Sequence, residues 1–199
     1  ARSFYEEALR CAERAYDKDY QARILHELGS TYLATGQYAT AEDYYEKALE
    51  IRTARGDLAG VAATLHELGS LRMRQDYPQQ AIRLYLQALD LREEVKDRAG
   101  RAETCFAIGA VYHKELREEV QYEVDPLEID PAERIARDAR TRAYRDRALE
   151  YYGRALILFS RDEDMAHVAD VRAEMAGVYL TTKETDKARE QFEIARSLR

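Results

Sequence analysis

The string LHELGS occurs twice in this chain, at Leu25–Ser30 and at Leu65–Ser70, 40 residues apart. The likeness extends further, because residues 22–61 and residues 62–101 align without a gap. Small and apolar residues recur in register at Leu28/Leu68, Gly29/Gly69, Ala41/Ala81, Tyr45/Tyr85, Ala48/Ala88 and Leu49/Leu89. A fixed period of this length is the signature of tandem units that bury their apolar faces against one another. The repeat therefore constrains the fold more than any single motif does.

Each repeat contains two apolar stripes at helical spacing. Leu25, Leu28 and Tyr32 form one stripe, and residues 41–49 form the second. An apolar residue every three or four positions predicts an amphipathic helix with one buried face. We therefore expect each unit to be a helix–turn–helix and the chain to be all-α.

Turn and capping signals divide the helices. The segments Thr35–Tyr38 and Gln75–Pro78 contain the residues typical of turns. An aspartate stands just before the first helix of each unit, at Asp17, Asp57, Asp97 and Asp164. A carboxylate at this place can accept hydrogen bonds from the free N–H groups of the first helical turn. These four aspartates are therefore predicted to cap helices rather than to catalyse.

Glycines in the middle of the first helices predict close helix packing. Gly29, Gly69 and Gly109 each cost about 1 kcal/mol relative to alanine in a helix interior. We expect the rings of the register-matched tyrosines to cover them; these are Tyr45, Tyr85 and Tyr152. Alanines at the end of the period are expected to let the next unit approach; these are Ala48, Ala88, Ala155 and Ala195.

The sequence of small and aromatic positions, Leu-Gly, then Tyr, Ala, an aromatic residue and Ala, resembles the tetratricopeptide repeat. The resemblance implies a right-handed α-solenoid of antiparallel helix pairs. The period of 40 residues, rather than the commoner one of about 34, resembles the longer repeats of Pins-type scaffolds and of sensor arrays in bacterial signalling ATPases. Departures from the pattern include Arg72 at a tyrosine position, Arg172 at an apolar one and Ala176 at a glycine one.

The repeats predict the domain organisation. Residues 1–21 match only the second half of a unit, so we expect them to be the second helix of a truncated preceding repeat. The full units are expected at residues 22–61, 62–101, 102–168 and 169–199, the third with an insertion at about 117–142.

Catalytic and metal motifs are not supported by the sequence. His26-Glu27 and His66-Glu67 begin the H-E-x-x-H pattern of zinc peptidases, but Ser30 and Ser70 stand where the second histidine belongs. The two histidines occupy equivalent places in neighbouring units, too far apart to share one ion. No phosphate-binding loop or nucleophile elbow is present either. We expect no enzymatic activity, no metal and no cofactor.

Composition limits location and partners. The net charge of −7 argues against general nucleic-acid binding, which needs a basic surface. No apolar stretch reaches the length of about 18–20 residues that a membrane span requires. Cys11 and Cys105 both fall on apolar helix faces, which predicts reduced core thiols in a cytoplasmic protein.

The resemblance places a partner on the concave face, which the first helix of each unit lines. The residues carried over to this face are Arg23, His26, Glu27, Ser30, His66, Glu67, Ser70, Met73, Arg74, Glu103, Phe106, His113, Lys114, Asp170 and Glu174. Pins-type repeats carry Asn where this chain has Glu27, Glu67, Ala107 and Glu174, so we expect a basic or donor-rich protein or peptide partner. The carboxylate clamp of chaperone-binding repeats is missing, because His26 and Ser30 stand in place of its Lys and Asn.

Two functions of different kinds remain open. The chain is expected to be a protein–protein interaction module, or alternatively the sensor region of a larger bacterial signalling protein whose ATPase or protease effector lies elsewhere. Self-association, end to end or through the insertion, also stays open.

The insertion separates opposite charges. Residues Glu115–Asp130 carry seven acids and one arginine, whereas residues Pro131–Arg147 carry six arginines and three acids. The two Asp-Pro steps break helices, and Asp130-Pro131 favours a new start. We expect one helix from Pro131 to Phe159 and pairing of the two charged arms. Whether the arm docks a partner or is a tolerated surface insertion stays open.

Overall fold

The computed structural model describes residues 2–121, 130–161 and 163–199, and its side chains from Phe4 onward within these ranges. Every element in these ranges is an α-helix. The helices are α1 (Arg2–Arg14), α2 (Lys18–Ala34), α3 (Tyr38–Arg55), α4 (Leu58–Arg74), α5 (Pro78–Glu94), α6 (Arg98–Gln121), α7 (Pro131–Arg161), α8 (Met165–Thr181) and α9 (Thr185–Ser197). The predicted all-α solenoid class, with helices in adjacent pairs, is confirmed.

The chain divides into two compact units, residues 1–100 and residues 101–199. The first contains α1 to α5 and the first residues of α6, and the second contains the remainder of α6 with α7, α8 and α9. Tyr38 and Pro78, which the sequence predicted to lie in turns, are the first residues of α3 and α5. Proline is favoured at this position because the first N–H of a helix has no intrahelical acceptor.

The turns between helices use left-handed backbone conformations. Gly36 and Gly56 adopt φ of 75° and 70°. Non-glycine residues take the same role in other turns that the structure describes, at Tyr16, Asp76, Lys96, Glu163 and Lys183. The left-handed residue lets the chain reverse within two or three residues, so that the next helix begins close to the end of the previous one.

All four predicted N-caps are confirmed. The carboxylate oxygens of Asp17, Asp57 and Asp97 each accept a hydrogen bond of 2.9 Å from the N–H three residues later. Asp164 accepts one of 3.2 Å from the N–H of His167. Each cap satisfies a donor that the helix itself leaves free.

The predicted glycine–tyrosine packing is also confirmed. A Cβ atom added at Gly29 would lie 2.7 Å from the ring of Tyr45. The same distance is found between Gly69 and Tyr85 and between Gly109 and Tyr152. No ordinary side chain fits in that space, so each glycine sets how closely the two helices of its repeat approach.

The core of the first unit passes from helix pair to helix pair. Ala12, Ile24 and Leu28 form one buried cluster between α1 and α2. A second cluster joins α2, α3 and α4; its members are Leu33, Ala41, Tyr45, Leu68 and Leu71. Each helix therefore buries apolar surface against its neighbours in the chain, as expected for stacked repeats.

The prediction of two core thiols is half wrong. Cys105 is buried, but Cys11 is exposed. The apolar face of α1 that turns towards α2 carries Ala8 and Ala12, of which Ala12 is 2% exposed. Cys11 immediately precedes Ala12 in the sequence, so its side chain lies about 100° around the helix from that of Ala12. It therefore points away from α2.

Candidate partner-binding face

The histidines of the two LHELGS strings pack inside their repeats. The ring of His26 meets the ring of Tyr45 edge-on with centroids 5.5 Å apart, and His66 packs on Tyr85 at 5.1 Å. His26 Nδ1 also lies 3.3 Å from Nη1 of Arg52. Burial, with the arginine charge second, lowers the pKa of His26 to about 4. The pKa of His66 is lowered to about 4 by burial and then by Arg92. Both rings are therefore neutral near pH 7.

The two serines of the repeated string tie the helices of a repeat together. Ser30 Oγ donates to the carbonyl of His26 at 3.2 Å and accepts from the hydroxyl of Tyr45 at 3.0 Å. Ser70 makes the matching contacts with His66 and Tyr85, both at 3.2 Å. The repeated LHELGS string thus makes the same set of internal hydrogen bonds, one of them to a buried tyrosine, in both repeats.

A buried arginine, which was not predicted from the sequence, links α3 to α4. Arg52 is 8% exposed, and its Nη1 donates to the carbonyl of Gly60 at 2.9 Å and to Oγ1 of Thr64 at 2.5 Å. Its Nε faces the capping carboxylate of Asp57 at 3.8 Å. A Cβ atom at Gly60 would lie 2.7 Å from the arginine side chain, so glycine makes room for the guanidinium. This Arg52 cluster fixes the first turn of α4 to the last turn of α3.

The same arrangement recurs 40 residues later. Arg92 is 6% exposed, donates to the carbonyl of Gly100 and lies 3.7 Å from Asp97. The signal was present in the sequence as Arg, Asp, Gly and Thr at the same offsets in two consecutive repeats. Between α7 and α8 the equivalent positions hold Phe159 and His167, whose rings stack 4.8 Å apart.

The remaining predicted face residues of the first unit differ in exposure. Arg23, Glu27 and Arg74 are exposed, and Glu67 and Met73 are half-buried. Arg23 lies over the ring of Tyr20, 6.0 Å from its centroid. The charged groups on this face are therefore of both signs, while the histidines and serines between them bond internally.

In the second unit, a polar cluster replaces the serine contact. Ala110 stands at the serine position, and the hydroxyl of Tyr152 donates instead to Glu174 at 3.5 Å. Nδ1 of His113 lies 3.3 Å from the same carboxylate oxygen. This hydrogen bond from His113 lowers the pKa of Glu174. His113 fits because its ring lies over Gly177, 2.8 Å from where a Cβ atom would be.

The other predicted residues of the second unit lie near its surface. Glu103 is exposed, and Phe106 packs on the ring of Tyr152 at 5.6 Å. Lys114 pairs with Glu118 at 3.4 Å, and Asp170 pairs with Arg199 at 2.6 Å. The structure therefore accounts for several of these charges by contacts within the chain.

The charged arms of the insertion do pair. α7 runs from Pro131 past Phe159, as predicted, and its start is capped by Asp130, which accepts from the N–H of Ala132 at 2.7 Å. Glu119 near the end of α6 accepts from Arg140 at 2.9 Å and, through its carbonyl, from Arg137 at 2.6 Å. The rest of the insertion, residues 122–129, lies outside the described residues.

The described part of the first unit includes two open clefts. One of about 310 Å³ lies between α1 and α2 and is lined by Phe4, Tyr5, Tyr20, Arg23, Ile24 and Glu27, among others. A larger one of about 680 Å³ crosses α1, α2 and α3 and contains Leu9, Leu25, Tyr44 and Ile51 with charged residues of both signs.

No three histidine, cysteine, aspartate or glutamate side chains in residues 2–121, 130–161 and 163–199 converge as metal ligands would. None of the helices in these ranges combines the length and the apolar character that crossing a membrane demands.

Comparison with known families agrees with the helix pairs and the glycine–tyrosine contacts. Tetratricopeptide repeat families match residues 1–54 and residues 64–99. The fold and the matches define a helical repeat protein. The chain contains tetratricopeptide repeats. The finer likeness to Pins-type repeats stays a prediction.

Solved structures share this fold. BtubC (BKLC) from P. vanneervenii superposes with a TM-score of 0.76 at 21% identity, over 98% of this chain and 70% of that one. MamA superposes at 0.62 and 17% identity, over 98% of this chain and 88% of its own. A putative kinesin light chain of Podosopora anserina with nearly identical TPR-like repeats superposes at 0.65 and 15% identity, over 98% and 84%. No curated protein matches the sequence. At these identities the likeness concerns the fold.

Proposed function

We propose that this tetratricopeptide repeat chain is a protein–protein interaction module that holds a peptide or protein segment on the face formed by the first helices of its repeats. Tetratricopeptide folds are typically non-catalytic scaffolds, which supports the interaction role. The occupant of the face is a segment rich in basic or hydrogen-bond-donating side chains.

The observation that carries the proposal is that neighbouring residues of the repeated LHELGS string differ in their contacts and exposure. His26 and Ser30 are held by contacts inside the repeat, whereas Glu27 between them is exposed. The carboxylate of Glu27 is thus displayed from a rigid helix whose neighbouring polar groups are already bonded. Carboxylates fixed in this way favour Arg and Lys side chains, which can make charge-assisted hydrogen bonds to them.

The second unit offers a similar preference. Glu103 is exposed, and the side chain of Glu174 is 45% exposed although it contacts His113. The lowered pKa of Glu174 keeps it ionised at neutral pH. Each unit therefore contributes acidic groups to the first-helix face, which is consistent with a donor-rich segment.

Selection from a displayed library of random peptides tests the proposal. We expect the intact chain to enrich peptides containing Arg and Lys, and the double variant Glu27→Lys/Glu67→Lys to lose that enrichment. The matched control is Glu46→Lys/Glu50→Lys, which changes the net charge equally at exposed positions of α3. Circular dichroism verifies that both variants remain helical.

Peptides selected without basic residues, or equal loss of binding in the two double variants, would contradict the proposal. The alternative role, as sensor region of a larger signalling protein, concerns residues outside this chain and stays a prediction.

A further inference from the structure

The chain has four histidines, and the charge of their neighbours differs between the two compact units. In the first unit, Nδ1 of His26 lies 3.3 Å from the guanidinium of Arg52, and the charge of Arg92 acts on His66. Burial, with these cations second, lowers the pKa of both rings to about 4. Neither histidine of the first unit therefore changes its charge between about pH 5.5 and 7.5.

In the second unit both histidines face carboxylates instead. Nδ1 of His113 lies 3.3 Å from a carboxylate oxygen of Glu174, and Nδ1 of His167 lies 2.6 Å from Asp164. The two pairs differ in their place in the repeat. Asp164 caps the start of α8, whereas Glu174 stands at the first-helix position that Glu27 occupies in the first unit. Only the pair with Glu174 therefore involves a residue of the proposed partner-binding face.

Two departures from the repeat make room for His113. Its position holds an apolar residue in the other repeats, namely Leu33, Met73 and Leu180. Gly177 stands where the other repeats have Ser30, Ser70 and Ala110. The ring of His113 fills the space over Gly177, 2.8 Å from where a Cβ atom would be. An apolar side chain satisfies the packing in the other repeats, so the polar contact with Glu174 is what distinguishes a histidine here.

The charged and titratable groups around His113 come from three helices. Glu174 in α8 accepts its hydrogen bond, and Tyr152 in α7 meets its ring edge-on with centroids 6.4 Å apart. The hydroxyl of Tyr152 donates to the same carboxylate, and Arg117 in α6 adds a positive charge near it. The pKa of Glu174 is lowered, first by the hydrogen bond from His113. The ionised carboxylate reaches solvent with 45% of its side chain exposed, whereas His113 beneath it is 8% exposed.

We infer that His113 makes the acidic group of the second unit sensitive to pH, so that this part of the face releases a basic segment as the pH falls. The inference rests on the proposed function. While His113 is neutral, the negative charge of Glu174 attracts Arg or Lys side chains of the segment. Protonation of His113 places a positive charge 3.3 Å from that carboxylate, and the neutral pair attracts a cation less. Histidine ordinarily gains its proton between about pH 8 and 5, which sets the range of the effect.

Isothermal titration calorimetry with a short peptide in which Arg alternates with Ala tests the inference on the full chain. Arginine keeps its charge throughout the range, so the peptide itself does not titrate. We expect the Kd to rise about threefold or more when the pH is lowered from about 7.5 to 5.5, as the loss of one exposed charge contact implies.

Three variants assign the effect. His113→Asn keeps an amide donor near the position of Nδ1 and is expected to bind at pH 7.5 without weakening at pH 5.5. Glu174→Gln keeps an acceptor but no charge, and is expected to bind more weakly at pH 7.5 and to lose the pH dependence. His167→Asn is the matched control and is expected to keep the pH dependence of the parent chain. Circular dichroism at both pH values verifies that each variant is helical.

Nuclear magnetic resonance gives a second readout. Because the proton and the basic peptide oppose each other, saturating peptide should move the titration midpoint of the His113 ring to lower pH and leave that of His167 unchanged.

Equal affinity of the parent chain at the two pH values would overturn the inference and leave the proposed function standing. The same loss of affinity in the parent chain and in His113→Asn would overturn it too, because another group would then cause the loss. Absence of peptide binding at pH 7.5 would overturn both proposals.

Discussion

Two glycines of the second unit should differ in their response to the same substitution. Gly109 in α6 lies against the ring of Tyr152, and Gly153 in α7 is the residue next to that tyrosine. A Cβ atom would lie 2.7 Å from the ring at Gly109 and would meet nothing within 4 Å at Gly153. Gly109→Ala and Gly153→Ala therefore differ in steric environment but share the chemistry of the change.

The expected magnitudes follow from two opposing contributions. Replacing glycine by alanine in a helix interior stabilises a protein by about 1 kcal/mol, through the helix propensity of alanine. Overpacking a core costs about 1–3 kcal/mol. Tyr152 is 0% exposed and cannot yield outward, so Gly109→Ala bears this cost and Gly153→Ala does not. The difference between the two free energies of unfolding should be about 1–3 kcal/mol, with Gly153→Ala the more stable.

Urea denaturation followed by far-ultraviolet circular dichroism measures both variants against the parent chain. Because both glycines lie in the compact unit of residues 101–199, both substitutions report on the same part of the molecule. The reasoning is refuted if the two midpoints move in the same direction by the same amount, because the ring would then impose no steric limit at Gly109.

Three further predictions test other contacts. Arg52→Ala should lower the free energy of unfolding by about 2–3 kcal/mol in urea denaturation, because charged hydrogen bonds inside the core are lost. The control Arg55→Ala, which removes an exposed ion pair with Asp19, should change it much less. The pKa values of His26 and His66, about 4 when folded against 6.5 as the ordinary value, mean that the unfolded chain binds more protons in that interval. The stability that the two neutral histidines contribute should therefore be fully present above about pH 6.5 and be lost as the pH drops towards 4. The free energy of unfolding of the variant His26→Phe/His66→Phe should fall less between those values. An identical pH profile would refute this prediction. Deletion of residues 120–140 should leave the melting temperature nearly unchanged in scanning calorimetry, because the described residues of this segment are mostly exposed; a collapse of folding would show the arm to be part of the core.

The features that could be predicted are those that occur in more than one repeat. Gly69 and Tyr85 recur in register with partners 40 residues away, so a rare helix-interior glycine could be matched with the ring that covers it. Asp57 and its equivalents stand immediately before a helical stripe, where local hydrogen bonding alone determines the role of a carboxylate. Both predictions needed only neighbours in the sequence or positions in register.

The buried arginines were not predicted although they also repeat. Arg52 lies in the last turn of α3, where a basic residue is ordinarily a solvated partner of the helix dipole. Its burial depends on the carbonyl of Gly60 and the hydroxyl of Thr64 in the next helix, which only the folded structure brings together with it. A lone arginine carries no such signal, but an arginine with glycine and threonine at constant offsets in two repeats does.

The exposure of the face residues changes which of them can give a partner its specificity. In the repeated string, His26 and Ser30 are engaged with Arg52 and Tyr45, and loss of either would disturb the repeat as well as any ligand. Alanine substitutions at those positions would therefore confuse folding with recognition. Glu27 and Arg23 are exposed on the same helix, so their substitution can change binding while the tyrosine contacts stay in place. Specificity in a stack of this kind depends on the residues that the internal hydrogen bonds leave at the surface. The position of Arg23 holds a different residue in each repeat, whereas the glycine–tyrosine contact recurs in three of them.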